Sequence, residues 1–290
     1  MHIIQLQFST ATLFDMKIRS IDQHILSTDN RVEVWEASGD ELHAPQGDPV
    51  PPSELARRSA SEGWDVVHVY GPVPRTPSVL RGLRAPYVAP SDPAPSLLPW
   101  RRTPLPAARV GASEFATVRE AVAPRFFESV ARSSGAPEGA PKRIGGFAGP
   151  RPRKEAIAAV ASRVIRFRED IEWRFFEEPP DPEDLDELDL WIDATPHEDD
   201  ADGFTAEALV RRRVVVASRT PLNAWRLDGG RAGFLVPPDD PNEMAHAILG
   251  ALFKSEISEP RRRVTAASRE RFRPELRRDE LLRLYGAVSR

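Results

Sequence analysis

The chain has 290 residues, a formal net charge of -4 at pH 7 and no cysteine. This length favours two domains, each large enough to bury its own core, and the lack of cysteine excludes a disulfide framework and a thiolate nucleophile. The basic residues are scattered, which argues against a nucleic-acid partner, and no run approaches the roughly 18 apolar residues of a membrane span. We therefore predict a cytoplasmic protein without a transmembrane segment.

In the first half of the chain, short apolar runs alternate with amphipathic stretches, as expected for βα units around a parallel sheet. The predicted elements are strands at 2–7, 32–35, 65–69, 84–89 and 109–112, and helices at 13–26, at 53–61 and from residue 113. Residues 131–141, ARSSGAPEGAP, have no apolar periodicity and indicate a linker. We place the domain boundary there, with residues 1–135 as the first domain and residues 136–290 as the second.

The alternation restarts after this linker. The predicted elements are strands at 143–148, 172–176, 188–192, 214–217 and 233–236, and helices at 154–167, 242–253, 260–271 and 274–288. The strand at 214–217 has no polar residue, which is typical of a strand covered on both faces. Ligands of such sheets bind at the carboxyl ends of the strands, so we expect a binding site there.

An acidic segment precedes that buried strand, because residues 177–202 contain 13 acidic residues and no Lys or Arg. Behind this segment, Thr205 can cap a helix that starts at the next residue. Glu207 then lies in the first turn, beside the partial positive charge of the helix N-terminus. Glu207 either faces a ligand crevice or serves only as a favourable first-turn acid.

The second half of the chain resembles a known family. LDLWIDATPHEDDADGFTAEAL leads into RVVVASRTPLNAWRLDGGRAGFLVPPDDPNEMAHAIL. This order is similar to the C-terminal domain of GT-B retaining glycosyltransferases (glycosyltransferase group 1, family 4-like), which include sucrose and glycogen synthases and mannosyltransferases. RFRPELRRDELLRLYGAV resembles the family's closing helix. The resemblance covers residues 189–288 and is weaker over DVVHVYGP, RAPYVAPSDP and IGGFAGPRPRKEAI.

The resemblance implies which residues bind a nucleotide-sugar donor. Arg151, Arg153 and Lys154 stand where the family has an arginine and a lysine, at a helix N-terminus, which favours phosphate. Arg151 is the better match for the arginine and Lys154 for the lysine, and the alternative is a solvated basic loop. Glu207 aligns with the family glutamate that binds the ribose hydroxyls.

Two further site positions follow from the same resemblance. The family's first glutamate corresponds to Glu198 when counted from the preceding strand and to Asp199 when counted back from Glu207. The acids around Asp199 could also hold a divalent cation, although a solvated acidic loop is the commoner outcome. His68 matches a histidine common at the end of a family strand, which implies a catalytic role, and a core histidine is the alternative.

The resemblance implies an α/β protein of the GT-B type, with two Rossmann-like domains facing a cleft and the last helix, about 274–288, packed on the first domain. It implies transfer of a hexosyl or related sugar from a nucleotide-sugar donor to an unknown acceptor (glycan, lipid or small molecule) with retention of configuration. The nucleotide sugar is a substrate, and neither a cofactor nor a metal is expected. Peripheral membrane contact is compatible with such an activity.

Some positions depart from the family pattern. FSTATLFDMK has no glycine where the family has a Gly-rich loop, and no histidine follows the APYVAP-like strand. Residues 211–213 are three arginines where the family has a turn of small residues. An alternative is therefore a degenerate GT-B module that binds a partner or a sugar nucleotide without catalysis.

Overall fold

The structure is a computed structural model, and its backbone forms two compact units. Met1–Ala121 and Pro274–Arg290 make up the first unit, and Val122–Arg273 make up the second. The structure describes residues 1–8, 13–38, 41–70, 80, 83, 85, 87–89, 108–109, 120–128, 141–149, 151–195, 203–254, 264–265 and 268–289. Among these residues, no helix is both long and apolar enough to cross a membrane.

A seven-stranded sheet forms the centre of the first unit, in the order β4-β3-β2-β1-β5-β6-β7. β2, β1, β5, β6 and β7 run parallel, and β3 and β4 extend one edge in antiparallel pairing. The strands are β1 (His2–Phe8), β2 (Arg31–Ser38), β3 (Glu41–His43), β4 (Pro49–Val50), β5 (Val66–Tyr70), β6 (Tyr87–Ala89) and β7 (Ala108–Arg109).

The second unit contains a five-stranded sheet in the order β12-β11-β10-β8-β9, with every pair parallel. The carboxyl ends of all five strands therefore lie along one edge, and β10 lies at the centre. The strands are β8 (Lys142–Phe147), β9 (Ile171–Phe176), β10 (Leu190–Asp193), β11 (Val214–Ser218) and β12 (Phe234–Val236).

Helices cover the sheets with their apolar faces. In the first unit α8 packs against α1, and in the second α3 and α7 pack together over a core that includes Ile144, Ile192 and Val216. The helices are α1 (Leu13–Leu26), α2 (Ser53–Ser61), α3 (Arg151–Ile165), α4 (Pro182–Asp186), α5 (Thr205–Val210), α6 (Pro221–Arg226), α7 (Pro241–Phe253) and α8 (Pro274–Val288).

Glycines in β8 allow close packing beside the central strand. A Cβ atom built on Gly145 would lie 2.2 Å from the Leu188 side chain, and one built on Gly146 would lie 2.8 Å from the Ile192 side chain. These distances are well below the usual separation of packed carbon atoms, about 3.5–4.0 Å. Both positions therefore require glycine for the observed packing.

The units divide upstream of the predicted boundary. Residues 122–128 lie with the second unit, where Val122 N donates to the Phe272 carbonyl oxygen (3.0 Å). Arg211 also donates to the carbonyl oxygens of Phe126 (3.2 Å) and Glu128 (2.9 Å). The predicted boundary at 135–136 itself lies outside the described residues. These long-range hydrogen bonds attach a segment whose own sequence carries no clear element signal.

Candidate functional site

A buried carboxylate lies at the carboxyl edge of the second sheet. Asp193 is the last residue of β10, and its Oδ2 accepts hydrogen bonds from the Thr205 hydroxyl (2.8 Å) and the Asn223 amide (3.1 Å). Its Oδ1 accepts from the Thr195 hydroxyl. All four residues are buried. Burial strengthens such hydrogen bonds and makes an unpaired partner costly, so these contacts favour one arrangement of the cluster.

The start of α3 brings Arg153 to the same strand end. Its Nη2 donates to the Thr195 hydroxyl (3.3 Å), and its guanidinium lies 5.6 Å from the centre of the Phe147 ring. Arg153 is buried, whereas the Lys154 side chain is 63 % exposed and pairs with Glu177 at 2.5 Å. Of the two predicted basic residues whose side chains the structure describes, Arg153 is therefore the one that meets the cluster at the strand end.

The remaining predicted donor residues are placed as follows. Arg151 is the first residue of α3, but its side chain lies outside the described part of the structure, as do Glu198 and Asp199. Glu207 lies in the first turn of α5, as predicted, and it is buried. The acidic cluster considered as a cation site also falls outside the described ranges.

The entry to α5 has a left-handed backbone conformation at a non-glycine residue. Phe204 precedes the helix in the left-handed region (φ 51°), and its side chain makes no capping hydrogen bond. Its ring packs edge-on against Phe147 at 4.9 Å. A non-glycine residue in this region requires support from its surroundings, and this ring contact supplies part of it.

Sequence reasoning missed Asp193, Thr195 and Asn223. Asp193 ends the apolar run LWID, and a single acid at the end of a buried strand was an available signal. Asn223 follows Thr220, whose side chain accepts from the Asn223 N–H (3.1 Å) and caps α6. That local capping pattern gave no indication that the Asn223 side chain reaches the end of β10.

A small cavity opens at the same sheet edge. Its volume is about 200 Å³, and it lies between α3, the start of α7 and the ends of β10 and β11. Ala156 and Ala159 of α3 form one wall, and Asp240 lies opposite. The small side chains leave this space open. Its size is below the roughly 300–1,000 Å³ of a typical ligand pocket, so it can hold only part of a ligand.

His68 belongs to a buried network in the first unit. Its Nδ1 lies 2.5 Å from the Tyr285 hydroxyl and 3.0 Å from the Tyr70 hydroxyl. Tyr70 donates to Asp22 of α1 (2.8 Å), and Asp22 forms a two-point ion pair with Arg277 of α8 (2.6 and 2.8 Å). The network joins β5, α1 and α8. It favours the interpretation of His68 as a core histidine over a catalytic one.

The charge states of this network follow from its burial. Burial lowers the pKa of His68 to about 4, although Asp22 acts in the opposite direction. The ring is therefore neutral at pH 7, and one ring nitrogen can accept a hydrogen bond. Burial also raises the pKa of Tyr70 and Tyr285, so both hydroxyls remain protonated.

This depressed pKa predicts a pH-dependent loss of stability. Between pH 6.5 and about 4, the unfolded chain binds a proton at His68 that the folded chain does not, so the free energy of unfolding falls as the pH falls. We expect the wild type to lose about 2 kcal/mol more than His68→Gln between pH 7 and pH 5 in urea denaturation. His24→Gln, at an exposed position, is the control, and equal pH profiles for wild type and His68→Gln would contradict the prediction.

The arginines at 211 and 213 have structural contacts. Arg211 forms an ion pair with Asp186, and Arg213 donates to the carbonyl oxygens of Asp186 (3.3 Å) and Leu188 (2.7 Å). Both side chains are buried. They hold the segment before β11 against the segment before β10.

Comparison with known proteins identifies the fold. No protein-family profile matches the chain, and no curated protein sequence matches it. Among solved structures, HepE of Anabaena in complex with UDP has a TM-score of 0.65 and 12% sequence identity, over 99% of this chain and 100% of that chain. A glycosyltransferase from Rickettsia africae has a TM-score of 0.65 and 12% sequence identity, over 99% of this chain and 98% of that chain. Sucrose-phosphate synthase from Thermosynechococcus elongatus has a TM-score of 0.59 and 14% sequence identity, over 99% of each chain.

The chain therefore has the GT-B fold, with two Rossmann-like domains. This agrees with the fold class that the sequence resemblance implied. At identities of 12–14%, this likeness shows the fold alone.

Proposed function

We propose that the protein is a glycosyltransferase that moves a sugar from a nucleotide-sugar donor to an acceptor hydroxyl with retention of configuration. The observation that carries the proposal is the convergence of Arg153 and the Asp193 cluster at the carboxyl edge of the second sheet, with Glu207 in the first turn of α5. The GT-B fold supports it, since structural neighbours such as HepE were crystallised with UDP or UDP-glucose.

The chemistry requires positive charge beside the leaving group. As the bond between the sugar and the diphosphate breaks, negative charge grows on the diphosphate, and a cation already fixed in place stabilises it without reorganisation. Arg153 meets this requirement because burial and the Thr195 hydroxyl restrict its side chain. We assign it to the diphosphate, with Arg151 and Lys154 as further candidates.

Lys154 must exchange partners to reach a donor. Its ion pair with Glu177 is exposed on both sides, and such surface pairs contribute only about 0–1 kcal/mol. A diphosphate can therefore displace the Glu177 carboxylate at little cost. Lys154 is better suited to attracting the donor than to holding it in one geometry.

Glu207→Gln should weaken nucleotide binding. A carboxylate that accepts ribose hydroxyls forms charge-assisted hydrogen bonds, so we expect a loss of affinity of about ten- to a hundredfold in calorimetric titration with UDP, GDP or ADP. Glu243→Gln is the matched control, because Glu243 is also a first-turn acid in this unit but is exposed. Unchanged affinity for the preferred nucleotide would show that Glu207 only stabilises its helix end.

A two-stage experiment tests the proposed function. A thermal-shift screen of sugar nucleotides identifies the donor, because a ligand that binds the native state raises the melting temperature. The donor is then incubated with the protein and a mixed acceptor pool, and release of the nucleoside diphosphate is followed. Release with an α-linked product from an α-linked donor supports retaining transfer.

A second outcome would favour the alternative function. The stretch FSTATLFDMK lacks the glycines of the family's phosphate-facing loop, which is the observation in favour of a binding module without catalysis. Such a module would give a thermal shift but neither transfer nor slow hydrolysis of the donor across acceptors. The class of acceptor, the cytoplasmic location and peripheral membrane contact stay predictions.

A further inference from the structure

We propose that Asp193 is a positioning residue of the donor site, which fixes Glu207 through Thr205 and Arg153 through Thr195. This inference rests on the proposed function and adds Asp193, Thr195 and Thr205, to which the family resemblance gave no role. Asp193 is well suited to the role because it ends the central strand, with β8 and β11 hydrogen-bonded on its two sides. Its carboxylate therefore lies at the centre of this sheet edge.

The first set of contacts connects Asp193 to Glu207 through Thr205. α5 has only six residues, and Phe204, at its N-cap position, provides no side-chain cap. The bond from the Thr205 hydroxyl to Asp193 Oδ2 (2.8 Å) therefore anchors the first helical turn to the sheet. Glu207 is two residues further in that turn and is buried, so its carboxylate follows the position of this anchor.

The second set of contacts connects Asp193 to Arg153 through Thr195. The Thr195 hydroxyl donates its proton to Asp193 Oδ1 and accepts from Arg153 Nη2 (3.3 Å). The order is carboxylate, hydroxyl, guanidinium, which is electrostatically favourable in a buried environment. The Asp193 carboxylate thus orients both Glu207, which is assigned to the ribose, and Arg153, which is assigned to the diphosphate.

The backbone at Gly203 leaves space for the Asp193 carboxylate. A Cβ atom built on Gly203 would lie 2.0 Å from Asp193 Oδ2, so a larger residue at 203 would displace the carboxylate. The Gly203 carbonyl oxygen is fixed by a hydrogen bond from the Trp191 indole N–H (2.8 Å). The Asn223 side-chain amide donates a hydrogen bond to Asp193 Oδ2 (3.1 Å). Three separate segments therefore converge to hold one side chain in one position.

A double-mutant cycle tests whether Thr205 acts through Glu207. The variants are Thr205→Val, Glu207→Gln and the double variant, and the measurement is the dissociation constant for whichever of UDP, GDP and ADP gives the largest thermal shift. We expect Thr205→Val to weaken binding about tenfold in the wild-type background and less than about twofold in the Glu207→Gln background. Thr205→Ser retains the hydroxyl and should restore affinity.

The control variant is Thr265→Val. Thr265 is a buried threonine of the same unit whose hydroxyl donates one hydrogen bond, to the Ala232 carbonyl oxygen (2.7 Å). It should lose stability without a change in nucleotide affinity. Asp193→Asn provides a second test, with an expected loss of affinity at least as large as that of Thr205→Val, should the valine variant fail to fold.

The outcomes separate this inference from the proposed function. If the wild type binds nucleotide but Thr205→Val is additive with Glu207→Gln, or Thr265→Val weakens binding equally, the cluster is only structural and the positioning role is overturned. If the folded wild type binds no nucleotide or sugar nucleotide, the proposed function is overturned and the inference with it.

Discussion

Replacing Arg277 by methionine should lower the free energy of unfolding by about 3–5 kcal/mol, because it leaves the Asp22 carboxylate buried without its counter-charge. The side chains of Arg277 and Asp22 are 5% and 0% exposed, so water cannot replace the lost partner. Burial opposes the charge on Arg277, but Asp22 outweighs it and raises the pKa of the guanidinium. Urea denaturation monitored by circular dichroism measures the effect.

Two further variants show whether the loss arises from the buried charge. Arg283→Met, at an exposed position of the same helix, should change stability by less than about 0.5 kcal/mol. Replacing Asp22 and Arg277 together by leucine and methionine should recover part of the loss, because no buried charge remains. A double variant as unstable as the sum of the single variants would show that the residues contribute independently.

Arg153→Met should lower kcat by about 10²- to 10³-fold while weakening nucleotide-sugar binding much less. A fixed cation beside the leaving diphosphate contributes most in the transition state, where the negative charge is greatest. The experiment compares kcat, from the rate of nucleoside diphosphate release, with the dissociation constant of the donor identified by thermal shift. Arg163→Met is the matched control, since Arg163 lies on the same helix and donates to the Ala159 carbonyl oxygen (2.9 Å).

The ratio of the two effects is the informative quantity. A loss of affinity with kcat unchanged would show that Arg153 binds donor and transition state equally. A normal kcat and affinity in a folded variant would remove Arg153 from the donor site. The unfolding transition of the variant must be measured in parallel, because a buried arginine also contributes to packing.

The order of the main elements could be predicted from the sequence because the signals are local. The helices at 13–26, 53–61 and 274–288 have the predicted bounds. Strands such as β11 follow from uninterrupted apolar runs. The short strands β3 and β4 were missed, because three and two residues carry no periodicity and form only by pairing with β2 and with each other.

The sequence by itself therefore determined the alternation of strands and helices, the resemblance to GT-B proteins and the position of Glu207 at a helix start. Only the tertiary structure decided which polar residues meet. Thr205 and Asn223 lie 12 and 30 residues from Asp193 along the chain, yet both donate hydrogen bonds to its carboxylate. His68 likewise meets Tyr285 across 217 residues. Local periodicity specifies a face of an element, whereas hydrogen bonds between distant segments depend on how the strands and helices pack.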